Sequence, residues 1–576
     1  MKILDLRSLP ADSELSAEVC VVGSGPAGMT LAAELASGGV EVLVLESGGR
    51  DIDPQTSSLN ETENVGAQRV AEHERVRTRA FGGTSRIWSG RCGALDELDY
   101  EPRSWVPHSG WPITAADMSP YLDRARPYLN IGPNVYDDSF LELANQRQTR
   151  PPLEPPLVPY FWQVSRSRTE AGLPTRFDRD LPTAGAADAI RVLLHATVTH
   201  INTDADGSVV RSLEASCAGG PTATITARVF VLATGAIENA RLLLASDRDI
   251  PGGVGNANDL VGRYLMDHPG SVIATIKPEA AWSLRDRFGR YWLDGPEGRH
   301  VYIAGIALSP EFQRAEELLN CSAFVEEYPA PDDPFHAAQR LLCRLRGQPV
   351  PEEEIEVASF WRHEISAFFG RRPSGLGDVK SILRHLPSVI AGAYRIRRLH
   401  RPPLFRAGAV HVYCLTEKLP DRESRVTLSD RRDDLGMRVA RLDWRIAEAE
   451  VRSVRRLGEL LGDALERVGE PRPVPQPWLS AEDWRAGMTD RAHPIGTTRM
   501  ADDPREGVVD RNCAVHGVRG LYVAGSSTFP TSGHVNPTEM IVALSIRLAD
   551  HIKNDVLAPT RVATSGAAGP AGAVQA

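Results

Sequence analysis

Hydrophobic residues near the start of the chain form two short runs, separated by a glycine-rich turn and a helical pattern. Residues 18–22 are largely apolar and lead into the turn G-S-G-P-A-G at residues 23–28. Residues 29–37 have the spacing of an apolar helix face, and residues 40–46 form the second run. This order predicts strand, turn, helix and strand, which is the start of a parallel sheet.

Later parts of the chain repeat this type of pattern. Residues 227–235 predict a strand that ends in small residues, and residues 236–245 predict a helix with one apolar face. Residues 519–526 predict a third short buried strand, and residues 539–553 have the pattern of an amphipathic helix. One α/β fold is therefore expected to be assembled from segments at both ends of the chain.

The middle of the chain has a different pattern. Proline-rich stretches occupy residues 150–156, 329–334 and 401–403, and residues 410–428 alternate between apolar and polar positions. This alternation predicts strands of a separate sheet, and hence a second, discontinuous domain. Residues 381–400 interleave arginines with apolar residues. A membrane-surface or partner helix fits that pattern, but we favour a surface helix whose apolar face packs on its own domain.

Composition and charge narrow the classes of function. The 576 residues are 42% hydrophobic and 24% charged, as in folded proteins, and their formal net charge of −10 argues against nucleic acid or an anionic membrane as partner. The 7 cysteines are scattered without a C-x-x-C pair, and no cluster of Cys and His has metal-ligand spacing. Neither a secretory signal nor a membrane-spanning run is present. We expect a cytoplasmic protein that binds no metal and acts on a small molecule.

The glycine turn is the first candidate for chemistry. G-x-G-x-x-G alone is a weak signal, but here it follows a strand and opens a helix. In that context Gly23 permits the tight turn, Gly25 lets the backbone approach a pyrophosphate, and Gly28 lets helix and sheet pack closely. Glu46 ends the second strand at the spacing expected of an acid that binds ribose hydroxyls. The turn therefore predicts a dinucleotide site.

The remaining sequence favours a flavin over a nicotinamide cofactor. No second G-x-G-x-x-G follows a strand, and the predicted sheet is interrupted rather than contiguous, with strands returning near residues 230 and 523. A flavin reductase that takes hydride from NAD(P)H would need such a second site. The reductant is then expected to be the organic substrate itself.

Several motifs together resemble the glucose-methanol-choline (GMC) oxidoreductases. They occur in family order between about residues 16 and 555: G-S-G-P-A-G with L-E-S-G-G at 45–49, F-G-G-T-S at 81–85, S-G-W-P at 109–112 followed by Tyr121, A-T-G at 233–235, H-P-I-G-T at 493–497 and G-H-V-N-P-T at 533–538. Within that family the last two motifs most resemble bacterial sugar-oxidising members, including pyranose oxidases, C-glycoside oxidases and the flavin subunits of sugar dehydrogenases.

The resemblance implies a fold and a domain division. The predicted fold class is α/β, with a discontinuous FAD-binding Rossmann-like domain and a substrate-binding domain built on a mainly antiparallel sheet with helices. The predicted division is residues 1–110 (FAD-binding, first part), 111–190 (linker and substrate domain, first part), 191–270 (FAD-binding, second part), 271–490 (substrate domain, second part, with an insert at about 330–400), 491–556 (FAD-binding, third part, with the catalytic pair) and 557–576 (disordered tail).

The resemblance also implies a catalytic pair. His493 matches the family histidine that accepts the hydroxyl proton of the substrate, and Asn536 matches the second catalytic position, which carries His or Asn. His534 lies two positions before Asn536 and competes for that role, so we keep it as a site neighbour. His268 resembles a family segment near the cofactor, whereas His516 is expected at the surface.

We predict FAD that is not covalently bound. Fungal pyranose oxidases carry a histidine that bonds to the flavin in the loop before a Trp, and Ile87 occupies that position here. An aliphatic side chain cannot make the bond. The predicted cofactor-binding residues, several of them by resemblance only, are Gly23, Gly25, Gly28, Glu46, Gly82, Gly83, Ser85, Trp88, Ser89, Val198, Ala233, Gly235, Gly525, Ser526, Asn536, Pro537 and Thr538.

The predicted function is FAD-dependent oxidation of an alcohol to a carbonyl on a sugar, glycoside or cyclitol. An oxidoreductase for an apolar natural product or terpenoid alcohol is an alternative, since Trp282, Trp292, Phe324 and Phe360 would suit either substrate. A protein that keeps FAD only as a scaffold is a second alternative. The electron acceptor, which could be oxygen, a quinone or a protein, stays open, as do the regiochemistry and the oligomeric state.

Overall fold

The computed structural model describes residues 1–70, 73–145, 153–170, 172–182, 187–330, 332–346 and 375–558. Phe360, the middle of the predicted insert and nearly all of the predicted disordered tail lie outside these residues. In the described part of the chain, no helix has both the length and the apolar run needed to cross a bilayer.

Strands and helices both occur along the whole described chain. The strands are β1 (Lys2–Asp5), β2 (Ser13–Val22), β3 (Val42–Leu45), β4 (Thr62–Asn64), β5 (Arg91–Cys92), β6 (Leu157–Val164), β7 (Ile190–Leu194), β8 (Thr197–Thr203), β9 (Val210–Ser216), β10 (Thr222–Leu232), β11 (Gly270–Ile276), β12 (Arg290–Gly295), β13 (Gly298–Leu308), β14 (Cys321–Pro329), β15 (Ala407–Thr416), β16 (Arg425–Arg432), β17 (Arg438–Asp443), β18 (Val474–Pro475) and β19 (Leu521–Val523).

The helices cover the sheets and connect their strands. They are α1 (Pro26–Ser37), α2 (Pro54–Ser58), α3 (His73–Val76), α4 (Glu97–Tyr100), α5 (Ala115–Leu129), α6 (Ser139–Leu143), α7 (Ala236–Ala245), α8 (Trp282–Arg287), α9 (Pro310–Glu316), α10 (Pro334–Leu345), α11 (Gly375–Arg384), α12 (Leu386–Tyr394), α13 (Glu448–Arg467) and α14 (Thr538–His551).

The first sheet contains the predicted glycine-turn unit. Its strand order is β1-β7-β3-β2-β10-β9-β8, and β19 pairs with the end of β10. The pairs β1–β7, β7–β3, β3–β2 and β2–β10 are parallel, and so is the pair β10–β19. The pairs β10–β9 and β9–β8 are antiparallel. β3 and the carboxyl-terminal ends of β2 and β10 are buried because helices such as α1 pack against the sheet, and α14 packs in turn on α1.

The second sheet is antiparallel in every pair that the structure describes. Its order is β18-β11-β15-β14-β13-β6-β5, with β12 paired to β13. The predicted α/β fold class, with a parallel nucleotide-type sheet and a mainly antiparallel second sheet, is therefore confirmed. The strands of the first sheet come from residues 2–45, 190–232 and 521–523, and the predicted domain boundaries stay a prediction.

Two local predictions were wrong in part. Residues 410–428 do not stay in one sheet, because β15 belongs to the second sheet while β16 pairs with β17 in a separate three-stranded sheet. Between the two strands the chain turns at residues 421–424, where the Ser424 amide donates to the carbonyl oxygen of Asp421 (3.2 Å). Residues 381–400 also form no single packed helix: α11 ends at Arg384, and Ile390 on α12 is 62% exposed.

The glycine turn yields a prediction about packing. A Cβ on Gly28 would lie 1.9 Å from the carbonyl oxygen of Gly23, whereas a Cβ on Gly25 would meet no atom within 4 Å. Gly28→Ala should therefore push α1 off the turn and lower the free energy of unfolding of the cofactor-free protein by about 1–3 kcal/mol. The matched Gly25→Ala should change it by less than about 0.5 kcal/mol. Equal denaturant midpoints for the two variants would show that α1 does not depend on this close approach.

Candidate active site

A long cavity lies between the carboxyl ends of the parallel strands and one face of the second sheet. Val22, Leu45, Ala233 and Ala524, at the ends of the first sheet's strands, line one part of it. Phe324 on β14 and Tyr413 on β15 line another part. Ligand sites of parallel α/β sheets lie outside the carboxyl ends of the strands, so this cavity is the place expected for a cofactor.

Most of the predicted cofactor residues lie on this cavity. The lining includes all of them except Gly28 and Gly82. Gly28 is buried beneath the turn, consistent with its predicted packing role, and the Gly82 amide donates to Ser24 Oγ (3.1 Å). The structure therefore brings the predicted set together from segments that are distant in the chain.

Glu46 lies at the cavity wall in a network of donors. The amides of Ser24 (3.2 Å) and Gly48 (2.9 Å) and the Ser24 hydroxyl all donate to its carboxylate. Burial raises the pKa of Glu46, and these three hydrogen bonds oppose that rise. The network fixes the carboxylate at the end of β3, beside the glycine turn.

The glycine positions fit a diphosphate group. Gly25 caps the N-terminus of α1, Gly235 caps the N-terminus of α7, and a Cβ at either residue would enter open space. Unpaired amides at a helix N-terminus attract anions, and the first turn of α1 contains no acidic side chain that would repel one. These observations match the FAD pyrophosphate that the sequence predicts.

An arginine cluster at this part of the cavity was missed by the sequence analysis. Arg77 and Arg79 each lie 2.8 Å from the Glu238 carboxylate, and Arg241 lies 3.4 Å away. Burial opposes ionisation of Glu238, but the three guanidinium groups outweigh it and lower its pKa. The alternation of Arg75, Arg77 and Arg79 in the sequence was a signal that could have pointed to it.

Asp267 holds His493 in place. The two segments pair through reciprocal backbone hydrogen bonds between Met266 and Ile495 (2.9 Å each). The Asp267 carboxylate also accepts from the amides of Arg491 (3.0 Å) and His493 (2.9 Å). Burial, followed by the neighbouring Asp490, raises the pKa of Asp267 to about 7. The loop that carries His493 is thus fixed at its backbone.

A chain of hydrogen bonds determines which nitrogen of His493 carries a proton. His268 Nε2 lies 3.1 Å from the carbonyl oxygen of Ser532, which can only accept. A neutral His268 therefore has its lone pair on Nδ1, which lies 3.1 Å from His493 Nδ1. His493 Nδ1 must be the donor, so His493 Nε2 has the free lone pair, and it accepts from Asn536 Nδ2 at 3.3 Å.

Both histidines in this chain are neutral. Burial lowers the pKa of His268 to about 4. Burial also lowers the pKa of His493 well below its usual value of 6.5, and the nearby positive charges of Arg491 and Arg91 contribute further. A neutral His493 with a lone pair on Nε2 is able to accept a proton from a bound hydroxyl.

The other histidines lie away from this centre. His534 is fully buried, and its Nε2 lies 3.2 Å from Asp96 Oδ2. Its ring packs edge-on against Tyr160, behind the cavity wall. His516 is partly buried, and its Nε2 lies 2.9 Å from the carbonyl oxygen of Ala501. Asn536, not His534, is therefore the neighbour of His493 in space.

The aromatic lining differs from the prediction. Phe324 lines the cavity and stacks on Tyr413 with ring centroids 5.3 Å apart. Trp282 is 51% exposed, and Trp292 stacks on Arg299 instead (4.0 Å). The expectation that these two tryptophans line the substrate site is wrong, because they lie on α8 and the edge strand β12. Tyr328 and Tyr413, which the sequence analysis did not select, line it in their place.

Comparisons with known proteins agree with this geometry. Residues 420–545 match the family model described as GMC oxidoreductase, and residues 16–66 match the model described as FAD binding domain. The 6'''-hydroxyparomomycin C oxidase of Streptomyces lividus is 24% identical over 95% of this chain and 94% of its own length. The fructose dehydrogenase large subunit of Gluconobacter japonicus is 28% identical over 58% of this chain, an alignment that spans about half (48%) of that subunit.

Among solved structures, a formate oxidase shares the fold. It aligns with a TM-score of 0.53 and 17% identity, over 95% of this chain and 99% of that one. The two matching family models lie far apart in the sequence, and the fold joins them around one cavity. By sequence the chain is similar to GMC oxidoreductases, by fold it is similar to a formate oxidase, and together these similarities indicate an FAD-dependent oxidoreductase.

Proposed function

We propose that this protein oxidises an alcohol group of a sugar, glycoside or cyclitol to a carbonyl, with His493 as the general base. The observation that carries the proposal is the hydrogen-bond chain that leaves a lone pair on His493 Nε2 beside the Asn536 amide. Loss of the hydroxyl proton requires a neutral base within hydrogen-bond reach of it. The buried, neutral imidazole of His493 meets that requirement.

His493 and Asn536 have different roles in this proposal. A substrate hydroxyl bound between them donates its proton to His493 Nε2 and accepts from Asn536 Nδ2. As the proton moves, the amide stabilises the negative charge that develops on the oxygen. The positive charge that arises on His493 is stabilised by its Nδ1–H bond to His268. FAD, when bound, supplies the acceptor for the hydride of the substrate carbon.

FAD is held without a covalent bond in this proposal. Ile87 lines the cavity at the position where the resemblance would place a histidine link. Glycine backbone, Glu46 and the N-termini of α1 and α7 provide the contacts instead. Acid precipitation of the protein should therefore release FAD into the supernatant, and flavin retained by the washed pellet would contradict this part.

The substrate class is supported by the lining and by the relatives. Tyr328 and Tyr413 line the cavity and offer both apolar ring surface and a hydroxyl group, which suits a polyhydroxylated ring. Two relatives are named for fructose and for a hydroxyparomomycin. A polyhydroxylated substrate therefore fits this cavity.

An anaerobic absorbance titration tests the function. The purified holoenzyme is mixed with monosaccharides, glycosides, cyclitols and apolar alcohols, and bleaching of the oxidised flavin band is recorded. Bleaching by a sugar-like member is expected, because only reduction of the flavin removes that band. Bleaching by apolar alcohols alone would show that the substrates are apolar alcohols rather than sugars. No bleaching by any alcohol would favour a flavin kept as a scaffold.

Variants of the catalytic pair should slow flavin reduction. His493→Ala removes the base and should lower the anaerobic reduction rate about 10²–10⁴-fold. Asn536→Ala removes one donor to the developing alkoxide and should lower it about 10²–10³-fold, with FAD still bound. His516→Ala is the control, because His516 lies outside the cavity. An unchanged rate in His493→Ala would remove His493 from the mechanism, and loss of flavin from Asn536→Ala would make Asn536 a cofactor ligand only.

His268 should act through His493, as a positioning residue. His268→Gln leaves the His493 tautomer unselected and removes a bond to the imidazolium, so reduction should slow about 10–100-fold. The protonated base is inactive, so the wild-type rate should fall only well below pH 6.5. His516→Gln is the matched control, and an unchanged reduction rate in His268→Gln would show that His268 does not act on His493.

A further inference from the structure

One wall of the cavity carries a row of side chains that the proposed proton transfer does not use. On β14, Phe324, Glu326 and Tyr328 occupy alternate positions, so they point to the same face of the sheet, and all three line the cavity. Tyr413 pairs directly with Phe324 on β15 and also lines it. This wall (Phe324, Glu326, Tyr328 and Tyr413) belongs to the same cavity as His493 and Asn536.

Arg91 lies against this wall. It begins β5, two residues after the lining residue Ser89, and it lines the cavity itself. Its guanidinium carbon lies 4.0 Å from the centroid of the Phe324 ring. Stacking on an aromatic face leaves the edge of the guanidinium group, with its donors, free to bind a ligand. Among the described residues, no carboxylate forms an ion pair with Arg91. Its donors therefore face the cavity rather than a protein partner.

The charges around Arg91 are mostly positive. Arg491 lines the cavity with its guanidinium carbon 4.4 Å from the Tyr413 ring centroid. Burial lowers the pKa of Arg91 to about 10, Glu326 opposes that shift, and the charge of Arg290 adds to it. Glu326 is the nearby acid on the wall, and its carboxylate already accepts from the Tyr328 hydroxyl (3.0 Å). The site thus has more positive than negative charge before a substrate binds.

We propose that Arg91 binds a carboxylate on the substrate, so that the preferred substrates are sugar acids or glycosides that carry a carboxylate, such as uronides. The inference rests on the proposed function and names its substrate class. A planar guanidinium fork matches a carboxylate with two parallel hydrogen bonds. Because the Phe324 ring supports the face of the guanidinium group, the acid group of the sugar would bind at the edge of that group, on the same wall.

The same geometry disfavours other charged groups. An ammonium group would be repelled by Arg91 and Arg491, and Glu326 is already engaged with Tyr328. A doubly charged phosphate would meet the Glu326 carboxylate on the same wall. The positive charges of Arg91 and Arg491 exceed the one negative charge of Glu326. A substrate with a single negative charge is therefore accommodated best.

The test compares pairs of sugars in which one member carries a carboxylate and the other is neutral. The holoenzyme is reduced anaerobically with methyl glucosides and with the corresponding methyl glucuronides, and likewise in the galactose and mannose series, at matched ionic strength. At least one uronide should bind about 10–100-fold more tightly than its neutral partner, as expected for a hydrogen bond to a charged group. The dissociation constant comes from the concentration dependence of the reduction rate.

Variants assign the preference to Arg91. Arg91→Gln should abolish the uronide preference while it leaves reduction by the neutral glycoside within a few-fold, and Arg91→Lys should restore part of it. Arg299→Gln is the matched control, because Arg299 also stacks on an aromatic ring at 4.0 Å (Trp292) but lies outside the cavity. A shift in thermal unfolding of the holoenzyme by glucuronate, lost in Arg91→Gln, gives a second readout that needs no turnover.

A negative result against the carboxylate site differs from a negative result against the proposed function. Reduction by neutral glycosides with no gain from the carboxylate would overturn this inference and leave the proposed function intact. An equal loss with both sugars in Arg91→Gln would also overturn it, since Arg91 would then support the fold or the flavin. No reduction by any sugar, together with no thermal shift by glucuronate, would overturn both proposals.

Discussion

A single backbone carbonyl sets the proton arrangement of the whole candidate centre. The Ser532 oxygen can only accept, so it fixes the tautomer of His268, which fixes that of His493, which in turn fixes the orientation of the Asn536 amide. No charged group is needed at any point in this series. The arrangement depends on burial, because an imidazole in water would exchange its protons among all of these forms.

Burial controls the electrostatics of the cavity in two opposite ways. Where charges are paired, as in Glu238 with its three arginines, they stay ionised in spite of desolvation. Where an ionisable group has no partner of opposite charge, as at His493, desolvation keeps that group neutral. The cavity therefore has an ionic part beside the glycine turns, which suits a phosphate-bearing cofactor, and a neutral base where the substrate would lie.

The sequence was sufficient for the fold class, and most of the cofactor residues that it predicts lie on the cavity, because glycine turns and buried strands have local signatures. The N-terminal strand, turn and helix follow from residues 18–37 alone, and the predicted cofactor residues lie on the cavity apart from Gly28 and Gly82. The link from His268 to His493 could not be predicted, since it depends on the pairing of Met266 with Ile495. Arg91 was missed for a similar reason: its partner, Phe324, lies on a strand far away in the sequence.

The candidate centre is built from segments that lie far apart in the sequence, and this affects how it forms during synthesis. The centre needs residues 266–268, 491–495 and 532–536, and the first sheet needs β19 (Leu521–Val523) to pair with β10. Contacts between residues so far apart in sequence form late in folding. During synthesis, the N-terminal glycine turn leaves the ribosome hundreds of residues before the strand and helix that complete its sheet. FAD capture and assembly of the catalytic pair are therefore expected only after nearly the whole chain has been released, so a truncated chain would expose an incomplete sheet edge and no functional centre.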